Sequence, residues 1–229
     1  MFHRMIFICA LAAPAAMAQD AGAVKAALQQ KVGDVKQSIA KNQAQLKQYA
    51  WTETTEINFK GEDKKRTQND CQYGPDGKVQ KTPIGAPAPP KSRKGVKGKV
   101  VANKIDEMKD YMDRVGSLVK RYVPPDAQDI QASFQAGKAA LTPGSGELVL
   151  SDYVKPGDKV TITFDTATKK LTTFAVATYL DEPKDTVTLK ADFSSLPDGT
   201  NYLSQSVLNA TAKKIQVTTT NSAYHKVGG

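Results

Sequence analysis

Histidine is scarce among the reactive side chains: the chain contains two, His3 and His225. A histidine-rich metal site is therefore out of reach, and a serine or cysteine nucleophile that needs an imidazole base has few candidates. Cys71 and His225 supply the residue types of a thiol nucleophile and its base, although such a pair occurs in most proteins by composition alone. Gly144-Ser145-Gly146 lacks the flanking residues of a nucleophile elbow and reads as a flexible exit from a helix. Carboxylate pairs are more plentiful: Glu53 with Glu56, Asp106 with Asp110, and Asp181 with Glu182. Glycoside hydrolysis requires two acids held apart, so each pair merits weighing. Asp106 and Asp110 fall on a lysine-rich helix surface, and Asp181-Glu182 precedes the turn residue Pro183. Glu53 shares the parity of Trp51 and Ile57, which directs it inward; burial against a lysine, edge exposure and catalysis are the readings its position leaves open. Phosphate-binding glycine loops and calcium-loop signatures are absent. The chain is expected not to be an enzyme, with no catalytic residue, no metal and no cofactor; a hydrolase using Glu53 or Asp181 is the weaker alternative.

The elements that position these residues follow from hydrophobic period. Val24, Leu28, Val32, Val35, Ile39 and Leu46 recur every three or four residues, with one final step of seven (two helical turns), which predicts an amphipathic helix from residue 22 to about 48. The period then changes to two: Tyr49, Trp51, Ile57 and Phe59 share one parity, and Thr52, Thr54, Glu56 and Asn58 the other, as in a half-buried strand. A polar strand over 64–73 and another over 78–84 are joined by Gly74-Pro75-Asp76-Gly77, where proline presets one turn torsion and glycine tolerates a positive one. Pro83, Pro87, Pro89 and Pro90 end this first meander. The cations Lys91, Arg93, Lys94, Lys97 and Lys99 follow with no acid among them, and they are expected to form a mobile loop that contacts an anionic surface. No aromatic residue interrupts them, which argues against a nucleic-acid site. From Val101 a second helix is predicted, with Ile105, Met108, Met112, Val115, Val119 and Tyr122 as its buried seam. A third helix starts at Asp126 and Asp129, runs through Ile130 and Phe134, and is ended by Leu141-Thr142-Pro143-Gly144. Six further strands, over 147–153, 159–165, 170–180, 186–194, 202–210 and 214–221, are separated by turn-rich links. Short links imply antiparallel neighbours. In the 170–180 strand both parities are apolar, which predicts cover on both faces.

The first eighteen residues read as a secretory signal: Arg4, an apolar run from Met5 to Ala16, then Ala16-Met17-Ala18 with small residues at the cleavage subsites. That run is shorter than the roughly 20 residues of a membrane-spanning helix. Residues 19–229 are then expected to form a single exported domain, periplasmic or secreted, without a transmembrane anchor. Its remaining cysteine, Cys71, leaves it no internal disulfide, so packing must hold it together, and a lone buried thiol behaving as a small hydrophobe is the expectation. The net charge of +9 favours encounters with anionic surfaces without naming a partner.

One helix, an antiparallel meander, two helices beyond a proline-bounded loop and then a long meander: this order resembles the periplasmic lipoprotein-carrier and lipoprotein-receptor (LolA/LolB-like) superfamily. The resemblance implies an α+β fold, a curved antiparallel β-sheet (incomplete barrel) with an N-terminal helix and two inserted helices packed against it, enclosing a concavity for acyl chains. The arginine by which that family holds its lid helices is not assignable to Arg66, Arg93, Arg114 or Arg121. The leading expectation is a soluble binding protein for a lipid or acyl ligand. Its groove would be walled by Trp51, Ile57, Phe59, Phe164, Phe174, Val176, Leu189 and Phe193, with Met108 and Met112 on the lid. The alternative is an envelope interaction protein that docks through Lys91–Lys99. Oligomeric state is not legible.

Overall fold

The computed structural model describes residues 40–85, 96–142 and 144–228. Within them lie the strands β1 (Tyr49–Phe59), β2 (Glu62–Tyr73), β3 (Val79–Pro83), β4 (Ala139–Thr142), β5 (Glu147–Ser151), β6 (Lys159–Phe164), β7 (Leu171–Tyr179), β8 (Thr186–Ser195), β9 (Asn201–Ala210) and β10 (Ile215–Lys226). Two helices, α1 (Val96–Val119) and α2 (Ala127–Gln135), separate β3 from β4. All of these belong to the unit Asn42–Gly229. The signal segment, most of the N-terminal helix, Lys91, Arg93, Lys94 and the side chains of Lys97 and Lys99 lie outside the described residues; residues 40–46 are helical.

The strands form one open, curved antiparallel sheet in the order β3-β2-β1-β10-β9-β8-β7-β6-β5-β4. The fold is α+β, with an incomplete barrel. Its two edge strands, β3 and β4, are consecutive in sequence, and the segment joining them carries both helices. The turn between β2 and β3 closes as its sequence requires: the Gly77 amide donates to the Gly74 carbonyl at 2.9 Å, with Gly77 at φ 74°. Asp126 caps α2, its carboxylate accepting from the amide of Gln128 at 2.6 Å.

One face of the sheet is polar and solvent-facing. Gln68 donates to Thr54, linking β2 to β1, and Gln216 to Asn209 and Asn209 to Thr188, linking β10 through β9 to β8 by side-chain hydrogen bonds. The other, inner face carries the apolar parity and receives the helices. Tyr111, Val115 and Leu118 of α1, with Tyr122 just beyond it, are buried in a single cluster with Leu150, Val160, Phe174, Val176 and Val187. Each such apolar side chain contributes about 1.5–3 kcal/mol on burial. Two side-chain contacts tie α1 to the β7–β8 connection: the Tyr111 hydroxyl donates to Asp185 at 2.8 Å, and Arg114 pairs with Asp181.

Beyond α1 the chain is pinned by a buried polar knot. Asp158, 2% exposed, accepts from the backbone amides of Tyr153, Val154 and Lys155 at 2.6, 3.0 and 2.9 Å. The Tyr122 hydroxyl completes it, donating to Asp158 at 2.6 Å and lying 2.8 Å from the Thr178 hydroxyl on β7. Burial, reinforced by Asp158, pushes the Tyr122 phenol well above its usual range.

Three sequence expectations are corrected. Residues 96–100 are helical, so Lys97 and Lys99 belong to α1 and not to a loop, and α1 begins before Val101. Leu141-Thr142 does not end a helix but lies in β4, where its backbone pairs with Leu148 and Glu147 of β5. β7 is not covered on both faces: Phe174 and Val176 are buried, whereas Ala177 on the other parity is exposed, its small side chain needing no cover.

Replacing Tyr122 with Phe removes the one phenolic donor to a buried carboxylate and leaves Thr178 short of a partner. Chemical denaturation of this variant is expected to show stability lower by about 1.5–3 kcal/mol; an unchanged denaturation midpoint would remove the knot from the account of how α1 is anchored.

Candidate functional site

Register carries the apolar alternation across the whole sheet. Ile57 on β1 faces Val217 on β10, and the row continues through Leu208 on β9, Leu189 on β8, Val176 on β7, Val160 on β6 and Leu150 on β5. Paired residues point to the same side of a sheet, so these form one continuous aliphatic row on the inner face. Its burial is uneven. Leu150, Val160 and Val176 are buried in the cluster with Val115 and Leu118, while Leu189, Leu208, Val217 and Ile57 remain half-buried. Phe59, Phe164, Phe193 and Leu203 pack against the same cluster from the sheet, and Met108 and Met112 from α1. Of the expected groove residues, Ile57, Phe59, Phe164, Phe174, Val176, Leu189 and Phe193 are thereby brought together with Met108 and Met112.

Trp51 lies apart, further along the inner face. From the aliphatic row the next row reads Thr55, Thr219 and Ser206 on β1, β10 and β9, and beyond it Glu53 faces Asn221. At the far end Trp51 stacks on Tyr224, with ring centroids 5.5 Å apart and an interplanar angle of 12°. Tyr73 approaches Trp51 at 5.5 Å, and Tyr202 approaches Tyr224 at 4.4 Å. Along β1, β10 and β9 the inner face thus grades from aliphatic through hydroxyl to charged and amide, and ends in aromatics, while on β8, β7 and β6 the second row stays apolar with Ala191, Phe174 and Ile162. Burial pushes the Tyr224 phenol well above its usual range. The sequence reading ended the last strand at Asn221 and so missed Tyr224. Ala223, at φ 54°, interrupts the period of two there, and the alternation resumes only with Tyr224 and Lys226.

Among the described residues, the acids Glu53, Asp181 and Glu182 are engaged in ion pairs and Cys71 is buried. Glu53, whose side chain is 12% exposed, is held by the Lys81 ammonium at 2.6 Å, which is the lysine-paired burial that was one of its three readings. Cys71 pairs with Trp51 across the ladder and is 1% exposed; burial first, then the neighbouring Glu53, pushes its thiol up. His225 pairs with Ala50, on the opposite parity from Cys71 and Trp51, so thiol and imidazole point to different faces. Asp181 is taken by Arg114 and Glu182 by Lys184 at 2.6 Å. Among the described residues, no three His, Cys, Asp or Glu side chains cluster as metal ligands.

An open cleft of about 440 Å³ flanks α1, lined by Asp113, Arg114, Ser117, Leu118, Arg121, Lys155 and Leu180. Its cations are largely engaged: Lys155 donates to the carbonyls of Tyr179 and Leu180 and lies over the Tyr179 ring. The cleft is a polar seam that fastens the helix to the sheet end.

The aromatic end has its own anchor. Tyr49 donates to Asp198 at 2.6 Å, and the Thr200 amide donates to the same carboxylate at 2.9 Å. The Tyr49 hydrogen bond, then that amide, hold the Asp198 carboxyl down at about 2. A carboxyl depressed on folding stabilises fully above its unfolded value of about 3.9 and loses that contribution as pH falls toward its folded value. The melting temperature of the wild-type chain is therefore expected to fall more steeply between about pH 4 and pH 2 than that of Asp198→Asn; parallel curves would show that this contact carries no pH dependence.

Compared with protein-family models, curated proteins and solved structures, this chain matches none.

Proposed function

We propose that this chain is an exported, non-enzymatic binding protein, periplasmic or secreted, that holds the apolar chain of a lipid or acyl ligand along the inner face of its sheet. The observation that carries this reading is the uneven burial of the aliphatic row. One register-matched line of side chains is sealed by α1 at Val176, Val160 and Leu150 and half-open at Leu189, Leu208, Val217 and Ile57. A half-open aliphatic row on a curved sheet offers a methylene chain about 0.8 kcal/mol for each CH₂ it buries. Met108 and Met112 border it from α1, and unbranched, polarizable thioethers adapt to chains of different shape. The resemblance to the lipoprotein-carrier superfamily points the same way. A catalytic reading has less support, because Glu53, Asp181 and Glu182 are spent in ion pairs and Cys71 is buried.

Titration of the full chain with a fluorescent long-chain fatty acid is expected to show saturable binding. Leu208→Ser, with circular dichroism confirming an unchanged fold, is expected to weaken that binding at least tenfold, since losing one buried leucyl contact of about 1.5–3 kcal/mol corresponds to tenfold or more. Absence of uptake by the wild-type chain, together with no lipid in native mass spectra of protein purified from its own envelope, would end the proposal.

A further inference from the structure

Two of the buried polar side-chain atoms without a hydrogen-bond partner among the described residues lie toward the aromatic end of this face. Trp51 is 6% exposed, yet its indole Nε1 has no hydrogen-bond partner among the described residues, and neither has Oδ1 of Asn221. Buried indole N–H groups ordinarily find an acceptor, and leaving one without costs stability. The two atoms lie on neighbouring strands: Asn221 faces Glu53, two residues along β1 from Trp51 on the same face, which makes Trp51 and Asn221 diagonal neighbours. Asn221 is not free to turn, because its Nδ2 donates to the Leu203 carbonyl at 3.0 Å and so fixes Oδ1 as an acceptor. One fixed donor and one fixed acceptor therefore sit beyond the hydroxyl row that borders the aliphatic one. Between them in the ladder lies Glu53, whose charge is matched by Lys81 at 2.6 Å. Among the described residues the other cation on this part of the face is Lys226, opposite Tyr49, whose Nζ lies 5.9 Å from the Tyr49 ring and whose charge acts on Asp198, the carboxylate that Tyr49 holds.

We propose that the ligand is an amphiphile with an uncharged headgroup that both accepts and donates hydrogen bonds, such as a carboxamide or an alcohol. Its acceptor takes the Trp51 N–H, its donor meets Asn221 Oδ1, and its chain lies along Leu208, Leu189 and Val217. This rests on the groove reading above and adds to it the polarity and direction of the bound molecule.

The chain's single tryptophan gives a direct readout. The ¹H–¹⁵N spectrum of the full chain holds one indole signal, to be followed during titration with a primary fatty amide, a fatty alcohol, a methyl ester, a fatty carboxylate and an alkane of equal chain length. The amide and the alcohol are expected to move that signal downfield and to bind at least tenfold tighter than the ester, which offers an acceptor only, and than the carboxylate. Asn221→Leu is expected to erase the preference of amide over ester while leaving alkane binding intact. Equal binding of amide, ester and alkane would overturn the headgroup assignment and leave the groove standing. An indole signal that no polar ligand moves would overturn the assignment as well, assigning that N–H to solvent. Failure of every chain, the alkane included, would remove the groove and this inference with it. The ligand series on the wild-type chain decides the matter even where the variant does not fold.

Discussion

Strand register is the constraint on which the molecule depends, because the inner face exists as a surface only while seven strands keep their apolar residues in line. Side chains alternate with a period of two, so a slip of one residue in any strand would send its apolar members outward and its threonines and asparagines inward. The alignment Ile57, Val217, Leu208, Leu189, Val176, Val160, Leu150 is thus a collective property, secured by tight turns and by polar side-chain pairs on the opposite face. The bulges at Ala223 and between Asp192 and Phe193 occur toward the aromatic end, leaving the aliphatic row uninterrupted. Neither end of the face can be rebuilt independently of the other.

The helix supplies the second condition. Its seam seals one half of the row, and the polar groups around it hold it to a single position: Tyr122 on Asp158 and Thr178, Tyr111 on Asp185, Arg114 on Asp181. A carboxylate as buried as Asp158 is tolerated because three backbone amides and a phenol satisfy it; such a cluster rigidifies its surroundings when complete and destabilises them when broken. Under α1 the row is buried at Leu150, Val160 and Val176 and half-buried at Leu189, Leu208, Val217 and Ile57, although Val187, Ala210 and Ile215 in the adjoining row are buried in the same cluster.

Much of this was legible in the amino-acid sequence, and the exceptions have physical causes. Alternation over Tyr49–Phe59 and turn chemistry at Gly74–Gly77 located strands and reversals because both signals are local. β4 was misread because Ala139-Ala140-Leu141-Thr142 has no alternation of its own and becomes a strand only through pairing with β5. The start of α1 was set too late because glycines and cations suggested a loop. Nine of the ten residues expected to wall a groove lie in or against one hydrophobic cluster, whereas the setting of Trp51 was hidden, since its partner Tyr224 lies 173 positions away and behind a bulge. The orphaned atoms of Trp51 and Asn221 were out of reach altogether, because hydrogen-bond satisfaction is a property of assembled geometry.

An open barrel has margins, and margins recruit other strands. Unpaired backbone along an exposed edge is a template for a neighbouring molecule. Here the two margins are guarded by different means: β4 offers only four residues, while β3 closes on Pro83 and carries Lys81, whose ammonium is already drawn inward to Glu53. The same lysine that neutralises the interior thus stands on the rim, where its solvated stem discourages edge-to-edge growth. One lysine thus serves both the rim, where a charged side chain disfavours edge pairing, and the floor, where it balances Glu53.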